Sequence, residues 1–412
     1  MTSDLDFIFS EVENPQQMVI WDLGRRCNYD CTYCTAWMHS TTSPFNKFEQ
    51  FKKTADFIDE YYSIYRQYHK NPKWRLKISF TGGEPAINPG FFKLVPYLKE
   101  NYPYMYLNLT TNGAWSERRG QFLLDNMHSM TVSYHAEGAQ EQKELVKRNL
   151  KFVQDRIGDK WWRLKVNVMM HEKYFDECVD LIENFLKPNG IKYTPRVIGD
   201  DGMYKDQWFK DDDGQMRKTT HNYSTEQLNY LRNHWNAKNK EVYKEAPELK
   251  NKNSNTGHGR DMGRMCCGGR CMTIKQPDHN VRDAMFIEQS NFKGYNCMIN
   301  WFFLHIEEDR DAVYHHQTCM GRLDGSPMPE LQPELLKKYG HMFRPEKGPI
   351  CSISKSRSYL DWLKAEFDKG RTPIMKCPNT HCGCGICIPK AKEYQVMKNI
   401  ADRYIKVGNV LS

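Results

Sequence analysis

The sequence lacks a long apolar run, a secretion signal and a dense basic arm. No stretch approaches the roughly 20 apolar residues that a membrane-spanning helix needs. The first 17 residues are acidic, without the basic-then-apolar order of a signal peptide. The formal net charge of +8 is spread along 412 residues, so neither a membrane nor a nucleic acid is an expected partner. We therefore expect a cytoplasmic protein.

Cysteine, by contrast, is abundant, with 14 residues that fall mainly into three groups, at 27–34, 266–271 and 377–387. Clustered cysteines in a cytoplasmic chain indicate metal sites rather than disulfides. The composition, 39% hydrophobic and 13% aromatic, is that of a folded protein. The length allows one large or two medium domains.

The first group, Cys27, Cys31 and Cys34, has the spacing C-x3-C-x2-C. Three thiolates can hold three irons of a [4Fe-4S] cluster and leave the fourth iron open to a small molecule. Zinc is the alternative metal, but it prefers four ligands, and the nearest following histidine is His39. The spacing therefore favours a reactive cluster over a structural ion.

Apolar periodicity predicts strands that alternate with helices over the first half of the chain. The predicted strands are 18–23, 76–80, 104–109, 130–134, 164–169 and 193–198, and the predicted helices are 46–66, 89–100, 116–127, 139–156 and 174–187. This order predicts an α/β fold with a parallel sheet and right-handed crossovers, which fits a partial (β/α)6 barrel. In such barrels the chemistry lies at the carboxyl ends of the strands.

Two motifs follow the first two strands and resemble the signature of the radical S-adenosylmethionine (SAM) superfamily. Tyr33 fills the aromatic position of C-x3-C-x-aromatic-C, and Gly82-Gly83-Glu84-Pro85 resembles the GGEP motif that binds the amino group of SAM. The resemblance implies that SAM chelates the open iron of the cluster through its amino and carboxylate groups. Reductive cleavage would then give methionine and a 5′-deoxyadenosyl radical that abstracts hydrogen from a substrate.

The resemblance also implies SAM contacts at the later strand ends. Asn112, in the turn after the third strand, would face SAM, and Ser133 and His135 end the fourth strand, where the family often contacts the ribose or carboxylate. Asn167 and Arg196, on the fifth and sixth strands, either contact SAM or substrate or are internal polar residues of the barrel. The sequence leaves these two possibilities open.

A second metal site is predicted in the C-terminal part of the chain. Cys297 and Cys319 flank a predicted hairpin, and together with Cys384 and Cys387 they would complete the ligands of an auxiliary [4Fe-4S] cluster. The pattern resembles the Twitch domain, a shortened SPASM domain. Its core, C-x4-C-x-C-x2-C, departs from the SPASM core C-x2-C-x5-C-x3-C, so Cys382 is a rival ligand and zinc an alternative metal.

The predicted domains are a radical SAM barrel at 1–200, a linker with a helical excursion at 201–260 and an α+β Twitch-like domain at 261–412. The third domain contains the hairpin and the cysteine-rich C-terminal segment. It begins with Cys266, Cys267 and Cys271, which either ligate a cluster, position a substrate or are buried thiols.

These features predict a radical SAM enzyme of the oxidoreductase or transferase type, acting on a peptide. A small-molecule dehydrogenase or epimerase is one alternative, and a non-catalytic zinc-binding protein is another. The basic surface suits an acidic electron donor of the flavodoxin or ferredoxin type. Since only about 17 residues precede the first strand, no peptide-binding winged-helix segment is expected before the barrel.

Overall fold

The structure is a computed structural model that describes most of the chain. The described residues are 16–34, 39–198, 223–227, 229–231, 291–316, 319–333, 336–337, 340, 343–371, 373–379 and 388–402, and the strands at 7–10, 208–210, 216–218, 273–275 and 281–283 are described by their backbone. Most of the predicted linker, 201–260, and all of Cys266, Cys267 and Cys271 lie outside these residues.

The strands and helices alternate through the first half of the chain. In chain order the strands are β1 (Phe7–Ser10), β2 (Gln16–Asp22), β3 (Arg75–Thr81), β4 (Tyr106–Thr111), β5 (Ser129–His135), β6 (Leu164–Met170), β7 (Tyr193–Val197), β8 (Trp208–Lys210), β9 (Met216–Lys218), β10 (Thr273–Lys275), β11 (Val281–Asp283), β12 (Asn296–Cys297), β13 (Phe303–Glu307), β14 (Ala312–Tyr314), β15 (Met375–Lys376) and β16 (Lys390–Ala391). The helices are α1 (Phe48–Tyr68), α2 (Pro89–Asn101), α3 (Glu117–Asn126), α4 (Gln140–Ile157), α5 (Phe175–Asp180), α6 (Ile299–Phe302), α7 (Arg357–Asp368) and α8 (Tyr394–Ala401).

The main sheet has eight strands in the order β14-β13-β2-β3-β4-β5-β6-β7. All neighbours pair in parallel except β14, which runs antiparallel to β13 at one edge. The six predicted strands are confirmed as β2 to β7, and the α/β class is confirmed with them. Within the described residues the sheet does not close on itself, as expected of a partial barrel.

One face of this sheet packs against the helices, and the opposite face is polar. Trp21 of β2 lies edge-on to Phe51 of α1, with ring centroids 6.1 Å apart, and Tyr134 of β5 donates a hydrogen bond to Glu177 of α5 (2.9 Å). The opposite face presents half-buried side chains that include Lys77, Ser79, Thr81, Thr131, Ser133, His135, Lys165, Asn167 and Met169. We call it the helix-free face, since the described helices pack on the other side.

The predicted C-terminal hairpin is confirmed as β13 and β14, but it joins the main sheet. β13 lies parallel to β2, with Glu307 opposite Asp22. The indole N–H of Trp21 donates to the buried carboxylate of Glu308 (2.7 Å), so the hairpin turn is tied to the first barrel strand. The sequence predicts that the first hairpin strand begins at Trp301, but residues 301–302 end the short helix α6 and the strand begins at Phe303.

A second sheet has the order β11-β10-β1-β16-β12-β15 with antiparallel pairing throughout. Its strands come from both ends of the chain, because β1 lies between β10 and β16. No helix in the described part of the chain is long and apolar enough to cross a membrane.

Candidate active site

The cysteine loop begins where β2 ends and is held by backbone hydrogen bonds. The amide of Cys27 donates to the Ser40 carbonyl (3.0 Å), and the amide of Cys34 donates to the Cys31 carbonyl (3.0 Å). None of the three thiols forms a disulfide with a described residue, and all three are half-buried. Burial first, and then the negative charges of Glu137 and the two other thiols, raise the pKa of the Cys31 thiol. Such thiolates need a bound cation to be stable.

Among the described residues, no group of three or more His, Cys, Asp or Glu side chains is placed to hold one metal ion.

The glycine pair of the GGEP motif lies directly against the cysteine loop. The amide of Gly83 donates to the Gly24 carbonyl (2.7 Å), and the amide of Glu84 donates to the Arg26 carbonyl (2.8 Å). A Cβ atom on Gly83 would lie 2.2 Å from the Arg26 carbonyl oxygen, and one on Gly82 would lie 2.4 Å from Asp22 Oδ1. Only glycine allows this approach, so the pair fixes the motif to the loop.

Glu84 is buried, and both oxygens of its carboxylate accept hydrogen bonds from the protein. Oε1 accepts hydrogen bonds from the Thr111 hydroxyl (2.7 Å) and the Ala86 amide (2.8 Å), and Oε2 accepts one from the Asn112 amide (2.6 Å). Burial raises its pKa to about 7, against the opposing effect of these donors. Pro85 begins a short 3-10 turn after it. The Glu84 side chain therefore joins the GGEP motif to the end of β4.

Asn112 extends this connection to the cysteine loop. Its Nδ2 donates to Asn28 Oδ1 (2.7 Å) and lies 4.0 Å from Cys27 Sγ, while its Oδ1 accepts from the Ala114 amide (3.0 Å). Asn28 was missed by the sequence reasoning. Its position between two cysteines of the triplet is the signal that points to it.

The second half of the loop is fixed to the end of β5. The Tyr33 hydroxyl hydrogen-bonds His135 Nδ1, and the two rings stack with centroids 5.8 Å apart. The amide and hydroxyl of Thr32 donate to the Glu137 carboxylate at 3.0 and 2.8 Å. Burial lowers the pKa of His135 to about 4, so its ring is neutral at pH 7. The contact between Thr32 and Glu137 was also not indicated by the sequence.

The remaining predicted contacts lie on the helix-free face of neighbouring strands. Ser133 is opposite Asn167 in the register of β5 and β6, and Arg196 on β7 is opposite Met169. The buried side-chain oxygen of Asn167 has no hydrogen-bond partner in the described part of the chain. Buried polar atoms in proteins normally have such a partner.

The C-terminal cysteines are only partly within the described residues. Cys297 and Cys319 are buried, whereas Cys382, Cys384 and Cys387 lie outside the described residues. Cys377, which was not predicted as a ligand, is also buried, and its amide donates to the Tyr295 carbonyl (2.8 Å), two residues before Cys297. The Asn379 side chain then donates to the Cys319 carbonyl (2.8 Å), so three cysteines lie on adjoining segments.

Comparison with known proteins gives one family and several similar chains. Residues 21–187 match the model of the radical SAM superfamily. The GTP 3′,8-cyclase of Aquifex aeolicus is 22% identical over 194 residues, which covers 45% of this chain and 57% of that enzyme. The chain thus matches little more than half the length of this curated relative.

Two solved structures are similar to the chain. The hexahistidine-tagged anSMEcpe with bound AdoMet is 16% identical with a TM-score of 0.40, covering 74% of this chain and 75% of that one. The Streptococcus suis SuiB bound to the precursor peptide SuiA is 12% identical with a TM-score of 0.38, covering 54% of this chain and 46% of that one.

Proposed function

We propose, from the match of residues 21–187 to the model of the radical SAM superfamily, that the chain reductively cleaves SAM and uses the resulting 5′-deoxyadenosyl radical to abstract hydrogen from a substrate. The observation that carries this proposal is the connection of three motifs at one edge of the sheet. Glu84 and Asn112 link the GGEP motif and the end of β4 to the cysteine loop, and His135 links β5 to it.

In this proposal Cys27, Cys31 and Cys34 hold a [4Fe-4S] cluster, which would supply the electron for SAM cleavage at its open iron. The protein's own contribution is to fix the loop that carries the thiols. Gly82 and Gly83 let the GGEP backbone approach the loop, and the bond between Thr32 and Glu137 holds its far side. This preorganisation reduces the motion that ligand binding would otherwise have to restrict.

The helix-free face of the sheet suits SAM and a substrate. The side-chain oxygen of Asn167 has no hydrogen-bond partner among the described residues. In this proposal it accepts a hydrogen bond from a ribose hydroxyl or an amine. Neutral His135 stacks on Tyr33 beside the loop, where it can contact the ligand without adding positive charge. Ser133 and Arg196 on the same face complete the proposed contacts.

Anaerobic reconstitution with iron and sulfide, followed by SAM and dithionite, tests this proposal. We expect 5′-deoxyadenosine and methionine from the wild type and none from the Cys27→Ala/Cys31→Ala/Cys34→Ala variant. A variant of the same helix-free face, Asn167→Ala, is expected to keep its iron and bind SAM more weakly. Absence of 5′-deoxyadenosine from the fully loaded wild type would overturn the assigned reaction.

A second metal site and an electron donor are also part of the proposal. We propose an auxiliary [4Fe-4S] cluster held by Cys297, Cys319, Cys384 and Cys387, with Cys382 as the rival ligand, and an acidic flavodoxin- or ferredoxin-type electron donor in the cytoplasm. The buried positions of Cys297 and Cys319 support the first two ligands. The iron content of the Cys27→Ala/Cys31→Ala/Cys34→Ala variant tests the auxiliary cluster, because that cluster would leave about four irons per chain.

For the substrate we propose a peptide, on the resemblance of the later cysteines to the Twitch pattern. The relative named as a GTP 3′,8-cyclase favours a second candidate, a nucleotide. Coexpression with any short reading frame beside the gene, followed by mass spectrometry of the peptide, tests the first. Consumption of GTP with formation of 5′-deoxyadenosine, and an unchanged peptide mass, would support the second instead.

A further inference from the structure

A stacked column of aromatic rings ends in a groove at the amino ends of β3 and β4. Trp74 stacks on His69, with ring centroids 4.6 Å apart and planes at 4°. Tyr62 stacks on Trp74 (4.9 Å, 22°), and Tyr104 stacks on Tyr62 (5.7 Å, 17°). The inner three rings are buried, whereas Tyr104 is 46% exposed. The column therefore stops at an aromatic ring that is open to solvent.

The groove around this ring has a volume of about 720 Å³. Its lining includes Tyr62, Arg66, Trp74, Arg75, Tyr104 and His128. β3 has seven residues, and at about 3.3 Å per residue the groove lies about 20 Å from the GGEP motif at the other end of the strand. It is therefore separate from the proposed SAM site.

The polar groups of the groove favour an anion. Arg75 is exposed, and its guanidinium forms no ion pair or hydrogen bond with the described residues. The Arg66 guanidinium donates to the Pro72 carbonyl (3.2 Å) and interacts with the Tyr62 hydroxyl, which leaves other N–H groups for a ligand. The lining acid, Asp59, accepts a hydrogen bond from the Tyr104 hydroxyl and so orients that ring.

A buried donor in the lining is also unpaired. Trp74 is 2% exposed, and its indole N–H has no hydrogen-bond partner in the described part of the chain. Because Tyr62 lies between Trp74 and Tyr104 in the column, a ring stacked on Tyr104 would not contact this N–H. A buried aromatic cluster that only stabilised the fold would not require the exposed Tyr104 ring to lie beside Arg75, whose guanidinium has no partner among the described residues.

From this geometry we propose that the groove binds a nucleoside phosphate, with the base extending the column on Tyr104 and the phosphates bound by Arg75 and Arg66. Aromatic rings stack on any base, and guanidinium groups pair well with phosphate oxygens. One exposed ring and two arginines match one nucleotide, so the proposed ligand is a free nucleotide rather than a nucleic acid strand. The proposal does not depend on the radical reaction.

Equilibrium dialysis of ATP against the full-length protein at moderate salt tests it. Tyr104→Ala removes the stacking surface and is expected to weaken ATP binding about 10-fold, whereas Tyr104→Phe retains the ring and most of the affinity. Arg75→Glu is expected to weaken ATP binding by at least about 10-fold and to reduce its salt dependence. Trp161→Ala, at an exposed tryptophan elsewhere (54% exposed), is the matched control and should leave binding unchanged.

Several results would overturn the proposal. Equal ATP affinity in the wild type, Tyr104→Ala and Arg75→Glu would show that the groove binds no nucleotide, as would undetectable binding to the folded wild type. Equal affinity for adenosine and ATP would exclude the phosphate contacts. An oligoadenylate that binds more than about 10-fold tighter than ATP would identify the surface as a strand-binding site.

Discussion

The carboxyl of Glu84 gives a quantitative prediction, because burial raises its pKa from 4.5 to about 7. A carboxyl whose pKa is raised on folding binds its proton more tightly in the folded state. Between these two values the folded protein keeps a proton that the unfolded chain has lost, so stability falls as the pH rises. With about 1.4 kcal/mol per pKa unit, the loss between pH 5 and pH 8 is about 2.5 kcal/mol.

Glu84→Gln removes this titration. The amide keeps one oxygen for the Thr111 hydroxyl and the Ala86 amide but turns its NH2 toward the Asn112 N–H. A buried donor left without an acceptor costs about 1–3 kcal/mol. Since the wild type loses stability between pH 5 and pH 8 and the amide does not titrate, we expect the stability difference to move by about 2.5 kcal/mol in favour of the variant over this range.

Urea unfolding of the iron-free chain, followed by far-UV circular dichroism at both pH values, measures this difference. Glu144→Gln is the matched control, because that side chain is 56% exposed on α4. Its stability difference from the wild type should be the same at both pH values. A constant difference between Glu84→Gln and the wild type would refute the assigned cost of burying the Glu84 charge.

Gly83→Ala places a Cβ atom 2.2 Å from a backbone oxygen of the cysteine loop, so we expect this variant to lose most of its N-terminal iron. The control is Gly340→Ala, where no atom lies within 4 Å of the added Cβ. Full iron loading of Gly83→Ala would contradict the close packing of the GGEP motif on the loop. Trp21→Phe removes the donor to buried Glu308 and should cost about 1–3 kcal/mol of stability in urea unfolding. Trp161→Phe, on an exposed ring, should cost nothing, and equal losses in the two variants would contradict a role for this hydrogen bond.

Much of the main sheet could be predicted because its signals are local. In β3, for example, apolar residues alternate with polar ones, so the strand and its buried face follow from the residues themselves. Sequence patterns placed the cysteine loop and the GGEP motif at strand ends, and the parallel sheet brings those ends to one edge. The proximity of the two motifs is thus a consequence of topology.

Long-range pairings were not predictable in the same way. The hairpin was correctly predicted, but its parallel pairing with β2 joins Glu307 to Asp22 across most of the chain, and nothing in either segment specifies the partner. Glu84 stays a predicted residue of the SAM site, and the hydrogen bonds of its carboxylate to Thr111 and Asn112 were not predicted. These bonds depend on where β4 ends in space, which a single sequence does not reveal.

The central claim is that the loop of Cys27, Cys31 and Cys34 leaves an iron open for SAM. Electron paramagnetic resonance of the reduced, reconstituted protein with and without SAM tests this claim most directly. We predict a reduced [4Fe-4S] signal that changes on addition of SAM, and no SAM-dependent change in the triple cysteine variant. A wild-type cluster signal that SAM leaves unchanged, in protein with full iron content, would contradict the claim.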